Sequence, residues 1–482
     1  MSDVTRRDLL GRSSALALGL LLGKETLAHA EELTLDSAPQ APKTKPVAAQ
    51  PKTAAQPKTA AQSKTPPKTS PKPAPPVKAL PEDPPPSPVT VAVIGANERG
   101  REMLTSLSYV KGAVVKYVCD SYESVGFQKR AMENAPKAMF VTDYKKVLDD
   151  PTVQGVFVAT PTHLHKQIVL DALAAGKHVY CEAPLAHTIE EARAIAIAGR
   201  DAKTIFQAGL QNRTNGQHHH VKHFVEIGAV GNISRCTAQW NQKSTWKRTA
   251  PSPERETALN WRHDPSLSPG LIGEIGIHQI DVMSWYLRAM PLSVSGFGTG
   301  EGIARTITCV VEYPEGIRLT YDATLGNSFG GTFEMLQGDQ SAVVLRGARA
   351  WMFKEADAIA LGWEVYARKE QVGDEQGIML VANASKLLAQ GLKPEDFVKP
   401  KPNATPLFYA CDTFLQGIRV GKEKSRPSVP IHKEGETWSA PDPVAGDSSA
   451  EIGFAATVVA LKANEAIKTG TKINFTKEMF TL

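Results

Sequence analysis

The chain has 482 residues, of which 42% are hydrophobic and 22% are charged, a composition typical of a soluble globular protein with about two domains. Residues 1–88 contain 12 basic and 8 acidic side chains, so they carry +4 of the net charge of +5. The +1 left for residues 89–482 gives no reason to expect a nucleic-acid partner. The five cysteines are far apart and lack CxxC or metal-finger spacing, which predicts small core residues rather than disulfides.

The first thirty residues predict an export signal. Arg6 and Arg7 precede an apolar run at residues 15–22, and residues 28–30 read Ala-His-Ala, a small-x-small cleavage pattern. This arrangement resembles a twin-arginine signal, so we expect the twin-arginine (Tat) export machinery as a partner and a periplasmic or cell-envelope location. An uncleaved anchor is the weaker alternative, because the run is shorter than the roughly 20 residues that a membrane span needs.

Residues 31–88 are predicted to be a disordered tether. Residues 37–88 hold 16 of the 34 prolines, eight lysines and no aromatic residue, and the hexapeptide PKTAAQ occurs twice in tandem, at 51–56 and 57–62. Such a segment cannot bury a hydrophobic core, and proline stiffens it. We interpret it as a spacer in preference to an anionic-surface binder.

A nucleotide-binding pattern starts at the apolar strand predicted for residues 89–94, which runs into a glycine turn and a helix at 102–109. Strand, turn and helix start together direct backbone N–H groups toward a pyrophosphate. Gly95 and Gly100 fit the first and third glycines of the G-x-G-x-x-G fingerprint. Asn97 replaces the second, where its side chain would crowd the phosphate.

A second apolar strand, residues 113–119, ends at Asp120, twenty-five residues after Gly95. A carboxylate there can accept hydrogen bonds from both adenosine ribose hydroxyls, which favours NAD. A 2′-phosphate would be repelled by Asp120, and no arginine follows it immediately. A solvated turn residue is the alternative interpretation of Asp120. We predict a Rossmann dinucleotide-binding domain over residues 89–211.

Residues 155–184 predict strand, helix and strand at 155–159, 164–175 and 178–181. A polar ATPTHLH turn, residues 159–165, follows the first strand, where a nucleotide-binding sheet holds its ligand. Immediately after the second strand the chain reads Glu182-Ala183-Pro184.

The remaining residues, 212–482, are predicted to form an α/β domain with a large, mainly antiparallel open sheet. Within it, Glu274, His278 and Asp281 lie at i, i+4 and i+7, so they share one face if a helix begins at or before Gly273. A histidine with a nearby carboxylate can act as a base near neutral pH. The alternative is that His278 and Asp281 only brace a buried helix. The strand-like runs are at 233–241, 306–313, 318–323 and 333–337.

Two other groups of side chains invite a functional interpretation. Trp261 and Arg262 could stack on and hydrogen-bond a sugar, or form a packed surface corner. A second group, on a short predicted helix, has no carboxylate or cysteine at a ligand spacing, so we predict no metal and place these side chains on its wetter sides: His218, His219, His220 and His223.

Together these segments resemble the Gfo/Idh/MocA-type oxidoreductases. The resemblance implies bound NAD, a carbohydrate or polyol substrate, and a homo-oligomer that pairs through the C-terminal sheet. It places Thr160, Pro161, His163 and His165 along the nicotinamide and its ribose, with Thr160 and His163 as the assigned contacts, and Glu182 beside the cofactor. It also implies a catalytic set of His278, Glu274 and Asp281, in which His278 assists proton transfer and the carboxylate of Glu274 orients the substrate or the histidine.

The family has a Glu-Lys-Pro motif with a catalytic lysine, where this chain has Ala183. Three explanations remain: His278 with Glu274 acts alone, another lysine such as Lys177 or Lys243 reaches the site, or ligands bind without turnover. We therefore expect an exported NAD-dependent oxidoreductase acting on a sugar, amino-sugar or cyclitol hydroxyl. A redox-neutral NAD-dependent glycosidase and a non-catalytic nucleotide- and carbohydrate-binding envelope protein are the alternatives.

Overall fold

A computed structural model of the protein describes residues 86–382, 404–425 and 445–482. These residues belong to one compact unit. The predicted export signal, residues 1–30, and the tether up to residue 85 lie outside the described residues. Within the described ranges, no helix is both long and apolar enough to cross a membrane.

The first half contains a six-stranded sheet in which all neighbouring strands are parallel, in the order β3-β2-β1-β4-β5-β6. This is the order of a dinucleotide-binding Rossmann sheet, which confirms the predicted fold. Apolar side chains bury the sheet on both faces, with Val156 in the core on one face and Phe157 in the core on the other. The strands are β1 Val89–Ile94, β2 Ala113–Cys119, β3 Met139–Val141, β4 Gly155–Val158, β5 His178–Cys181 and β6 Phe206–Ala208.

Ten α-helices are described. The first begins at Glu98, four residues before the predicted start, because the chain turns helical directly after the glycine turn. Side-chain caps fix other starts: the Asp143 carboxylate accepts from the Lys145 N–H at 2.9 Å. The helices are α1 Glu98–Tyr109, α2 Val125–Ala131, α3 Tyr144–Leu148, α4 His165–Ala174, α5 Ile189–Asp201, α6 Gly216–Glu226, α7 Pro253–Leu259, α8 Ile277–Leu287, α9 Pro406–Val420 and α10 Ala450–Thr469.

The second half contains a ten-stranded sheet in the order β14-β15-β13-β12-β11-β7-β10-β9-β8-β16. Its described neighbours are antiparallel except β7 and β10, which confirms a large, mainly antiparallel sheet. The strands are β7 Ile233–Asn241, β8 Ser293–Thr299, β9 Thr306–Glu312, β10 Arg318–Thr324, β11 Thr332–Gly338, β12 Ser341–Arg346, β13 Arg349–Lys354, β14 Lys369–Val372, β15 Glu375–Leu380 and β16 Ile473–Asn474.

The last two helices return to the first half. Phe414 on α9 packs edge-on against Phe157 of the parallel sheet, with ring centroids 5.0 Å apart. On α10, Phe454 belongs to the core of the first half and Ala463 to that of the second. Helices α9 and α10 therefore pack against the Rossmann half although they follow the predicted domain boundary at residue 211 in the sequence. All five cysteines are buried with free thiols, as predicted.

Candidate functional site

A cavity of about 1510 Å³ lies at the carboxyl edge of the parallel sheet and is walled by both halves of the protein. Ligand pockets commonly measure about 300–1,000 Å³, so this one has room for a dinucleotide and a second small molecule. Most of the residues predicted from the sequence line it: Gly95, Asn97, Asp120, Thr160, His163, Glu182, Glu274 and His278.

The glycine turn has the close packing that a phosphate cradle requires. Gly95 has φ of +94°, and a Cβ there would lie 2.6 Å from the backbone of Ala159 and Thr160. A Cβ on Gly100 would lie 1.9 Å from the Gly95 carbonyl oxygen. Gly100 thus lets α1 approach the turn from behind, without lining the cavity. Asn97 has an ordinary φ of −76° and starts α1 without a side-chain capping bond.

Asp120 has a structural partner on each carboxylate oxygen. Oδ2 accepts from the Ala96 N–H at 2.9 Å, and Oδ1 accepts from the Tyr122 N–H at 3.0 Å. The carboxylate therefore braces the glycine turn from the end of β2. Each oxygen has a further lone pair available for a ribose hydroxyl.

The turn after β4 presents two unsatisfied polar atoms within the cavity wall. The Thr160 hydroxyl and His163 Nδ1 are buried with no hydrogen-bond partner. Burial, and then the nearby His187 and His165, lowers the pKa of His163. Buried polar groups normally have partners, so these atoms suit a ligand that supplies them.

His165 plays a different part. Its Nε2 lies 2.9 Å from the Thr160 carbonyl oxygen and its Nδ1 lies 3.2 Å from that of Pro184. The ring thereby joins the turn after β4 to the Glu182-Ala183-Pro184 segment. Its contacts are those of a brace between two walls of the cavity.

Glu182 lies on the cavity wall with 7% of its surface exposed. Its Oε1 accepts a hydrogen bond from Arg99 Nε at 2.8 Å. Burial raises the pKa of Glu182, and the Arg99 charge opposes that rise. Arg99 was not predicted as a site residue: an arginine within the glycine-turn motif was a visible clue, but local spacing does not show that its side chain crosses to the end of β5.

A π-helical turn, Ile272–Gly276, precedes α8 and interrupts the predicted helical face. Glu274 lies in this turn, while His278 and Asp281 both lie in the regular helix α8. Glu274 and His278 line the cavity, whereas Asp281 is not part of its wall. The Asp281 carboxylate is instead paired with Arg213.

Glu274 is held between the two halves. Its Oε1 accepts from the Thr162 hydroxyl and its Oε2 from Arg262 Nε, each at 2.9 Å. Arg262 in turn lies over the Trp261 ring, 4.8 Å from the centroid. Trp246, which the sequence did not single out, also lines the cavity on this side. Glu274 therefore orients an arginine and an aromatic wall suited to a polyhydroxylated ligand.

His278 lies in the cavity wall with its Nδ1 buried and unpartnered. Burial, followed by the positive charge of Arg99, lowers its pKa to about 4. The imidazole is consequently neutral at physiological pH and able to accept a proton.

Neither lysine that the sequence suggested lines the cavity. Lys177 is buried at the opposite edge of the sheet, where its ammonium donates to the Asp150 carbonyl oxygen at 2.7 Å. Lys243 is exposed outside the wall. The expectation that one of them replaces the family lysine is wrong in this structure.

The histidines of α6 also differ from expectation. His218 and His219 are buried rather than wet: His218 Nδ1 lies 3.0 Å from the Tyr286 hydroxyl, and His219 Nε2 lies 2.7 Å from the Arg213 carbonyl oxygen. Periodicity failed here because α8 covers the side of the helix on which they lie. Among the described residues no group of three or more potential ligands could hold a metal.

A Rossmann sheet, a glycine turn with a carboxylate at the next strand end, and a cavity shared with a second sheet define a two-domain dinucleotide-binding protein. Comparison with known families agrees. The family model described as "Oxidoreductase family, NAD-binding Rossmann fold" matches residues 89–210, and that described as "GFO/IDH/MocA C-terminal domain" matches residues 218–345. The chain belongs to the Gfo/Idh/MocA family of NAD-binding oxidoreductases.

Individual relatives are similar over parts of the chain. Levoglucosan dehydrogenase of Pseudarthrobacter phenanthrenivorans is 35% identical over 30% of this chain and 36% of that enzyme. The 1,5-anhydro-D-fructose reductase of Ensifer adhaerens is 27% identical over 53% of this chain and 74% of that enzyme. A solved levoglucosan dehydrogenase in complex with NADH and levoglucosan superposes with a TM-score of 0.61 at 18% identity, covering 80% of this chain and 99% of that one.

Proposed function

We propose that the protein is an NAD-dependent oxidoreductase that oxidises a hydroxyl group of a sugar or cyclitol. The single observation that carries this proposal is the position of His278: a neutral imidazole in the wall of a cavity that is also lined by the glycine turn at Gly95. The levoglucosan dehydrogenase and the 1,5-anhydro-D-fructose reductase to which the chain is similar support a sugar as the class of substrate.

The residues present fit a bound NAD. The turn at Gly95 would hold the pyrophosphate, Asp120 the adenosine ribose, and Thr160 and His163 the nicotinamide end with their unpartnered atoms. When bound, the nicotinamide would supply the hydride acceptor.

His278 is the proposed base that accepts the proton of the substrate hydroxyl. Oxidation of an alcohol releases a proton from oxygen as hydride leaves carbon, so a base must stand beside the hydroxyl. The neutral imidazole of His278 can accept that proton. Glu274 holds Arg262 and Trp261, which position the remaining hydroxyl groups.

A turnover assay tests this proposal. NADH formation would be followed by fluorescence with NAD and a panel of anhydrosugars, hexoses, amino sugars and inositols. We expect at least one to be oxidised by the wild-type chain and not by His278→Gln. Cleavage of aryl glycosides without added NAD would instead identify the redox-neutral glycosidase, and sugar binding without either reaction would identify a binding protein.

We also propose that the protein is exported by its twin-arginine segment. The support is the sequence of residues 1–30 alone. Replacing Arg6 and Arg7 together by lysine should leave the protein in the cytoplasm, whereas the unchanged chain should be recovered from the envelope or periplasm. Equal recovery of both chains from the envelope would contradict export by this route.

A further proposal is homo-oligomerisation through the outer face of the ten-stranded sheet. Met335 and Val344 are paired across β11 and β12 and lie opposite the face that carries buried Leu336. Their half-buried apolar side chains suit a second copy of this chain. Light scattering should show an oligomer that Val344→Glu dissociates, and a monomeric wild type would contradict it.

A further inference from the structure

The cavity contains an arginine next to the position where the family lysine is missing. Arg99 reaches from the glycine turn to Glu182, the residue before Ala183, and donates to it across 83 residues of sequence. Its side chain is 27% exposed, and that of Glu182 is 10% exposed. The positive charge is thus fixed beside Ala183 at the edge of the cavity.

Three hydrogen bonds hold the Arg99 guanidinium and leave some of its N–H donors available. Nε donates to Glu182 at 2.8 Å, one Nη1 hydrogen to Glu102 at 2.9 Å and one Nη2 hydrogen to Gln211 at 2.7 Å. A guanidinium has five N–H donors in a rigid plane. Two are therefore left to donate to a ligand.

The same charge acts on His278. After burial, Arg99 is the second cause of the lowered pKa of that histidine. Arg99 and His278 line the same cavity, so the guanidinium lies within electrostatic reach of the proposed base. A cation in that position would stabilise negative charge developing on a hydroxyl oxygen bound there.

Other cations of the cavity wall have different partners. Arg262 is paired with Glu274, Arg248 with Glu98, and Lys166 lies 3.9 Å from Glu191. Arg255 lies over the Tyr122 ring, 4.0 Å from its centroid. None of these partners adjoins Ala183. Arg99 combines proximity to Ala183 with influence on His278.

We propose that Arg99 supplies the positive charge that a lysine at position 183 would provide, with its guanidinium donating to the reacting hydroxyl oxygen. This inference rests on the proposed function. In the step it would assist, the hydroxyl proton would pass to His278 and a carbon–oxygen double bond would form, with NAD, when bound, supplying the acceptor for the hydride that leaves carbon. The two electrons removed from the alcohol are those taken up by NAD.

A titration independent of turnover tests the charge relationship. The His278 imidazole would be titrated by NMR in the full chain, in Arg99→Gln and in Lys166→Gln. We expect the apparent pKa of His278 to rise in Arg99→Gln and to stay unchanged in Lys166→Gln, a cavity-wall cation that serves as the matched control. An unchanged His278 titration in Arg99→Gln would overturn the proposal.

Removing Arg99 leaves Glu182 buried without its cation, which can impair folding. The double variant Arg99→Gln/Glu182→Gln removes both charges and provides a second test of the same titration. A smaller upward shift of His278 is expected, because the Glu182 carboxylate that partly offsets the Arg99 charge is removed as well, and a downward shift would overturn the proposal.

Kinetics then test the catalytic part. We expect Arg99→Gln to lower kcat about 10²-fold with little change in NADH affinity. The double variant Arg99→Gln/Ala183→Lys should have a kcat at least about tenfold higher than that of Arg99→Gln. Loss of NADH affinity at unchanged kcat would show a nucleotide clamp and overturn the proposal. A wild-type chain that oxidises no polyol would refute the proposed function, while the titration would still decide whether Arg99 faces His278.

Discussion

The Asp281 carboxylate accepts two hydrogen bonds from the guanidinium of Arg213, with 2.7 Å between Oδ2 and Nε and 2.9 Å between Oδ1 and Nη2. Their side chains are only 5% and 11% exposed. Arg213 also lies over the ring of Trp285, 5.2 Å from its centroid. The pair fastens α8, which carries His278, to the segment before α6.

Asp281→Asn should therefore act mainly on stability. Breaking a buried ion pair leaves an uncompensated charge and typically costs about 3–5 kcal/mol, which urea unfolding would measure. Glu465→Gln, which breaks the more exposed pair with Lys462, should cost less than about 1 kcal/mol and serves as the control. Wild-type stability together with abolished turnover would instead support the catalytic role that the sequence suggested for Asp281.

Replacing His278 should remove the base. His278→Gln is expected to lower kcat about 10²–10⁴-fold while NADH affinity and the unfolding midpoint change little. Because the pKa of His278 is about 4, the wild-type rate should fall as the pH drops through that value and be independent of His278 ionisation at neutral pH. Comparable kcat values for the variant and the wild type would exclude His278 as the base.

Asp120 should contribute to the affinity for NADH and to the stability of the glycine turn. Asp120→Ala removes the proposed ribose partner and the bracing bond to the Ala96 N–H, so we expect weaker NADH binding and about 1–2 kcal/mol less stability. The matched control is Asp143→Ala, which removes a helix cap at a cost of about 1 kcal/mol without touching the proposed ribose site. Equal loss of NADH affinity in both variants, measured by fluorescence titration, would refute this assignment.

Glu334 provides a prediction about pH and stability. It lines the cavity, and burial raises its pKa from 4.5 to about 7. Between pH 4.5 and about 7, Glu334 stays protonated in the folded chain but releases its proton in the unfolded chain. The free energy of unfolding therefore decreases as the pH rises through this range. At about pH 8, Glu334→Gln should be more stable than the wild type by on the order of 2–3 kcal/mol. Parallel stability curves for both chains from acid to alkaline pH would contradict the raised pKa.

Local patterns predicted the fold because its strands and turns are short-range features. Val89–Ile94 followed by Gly95 indicated β1 and its turn, and Asp120 followed β2 as expected. The π-helical turn could not be found this way, since periodicity assumes a regular helix. The predicted single face for Glu274, His278 and Asp281 failed at Asp281, which lies in the regular helix α8 and pairs with Arg213 instead of lining the cavity.

Long-range contacts within the chain could not be predicted for this site from the sequence. Arg99 is 83 residues from Glu182, and Thr162 is 112 residues from Glu274, so neither pairing leaves a trace in local spacing. Glu334 gave no signal because a carboxylate in a strand normally faces solvent. An arginine inside the glycine turn was the one clue that could have been pursued.

The most direct test of the central claim is a crystal structure of the protein with NADH. We predict the dinucleotide along the carboxyl edge of the parallel sheet, with its pyrophosphate at Gly95 and the nicotinamide facing the His278 side of the cavity. A bound NADH whose nicotinamide points away from His278, or a cleft at Gly95 closed by protein side chains in saturating NADH, would contradict the account.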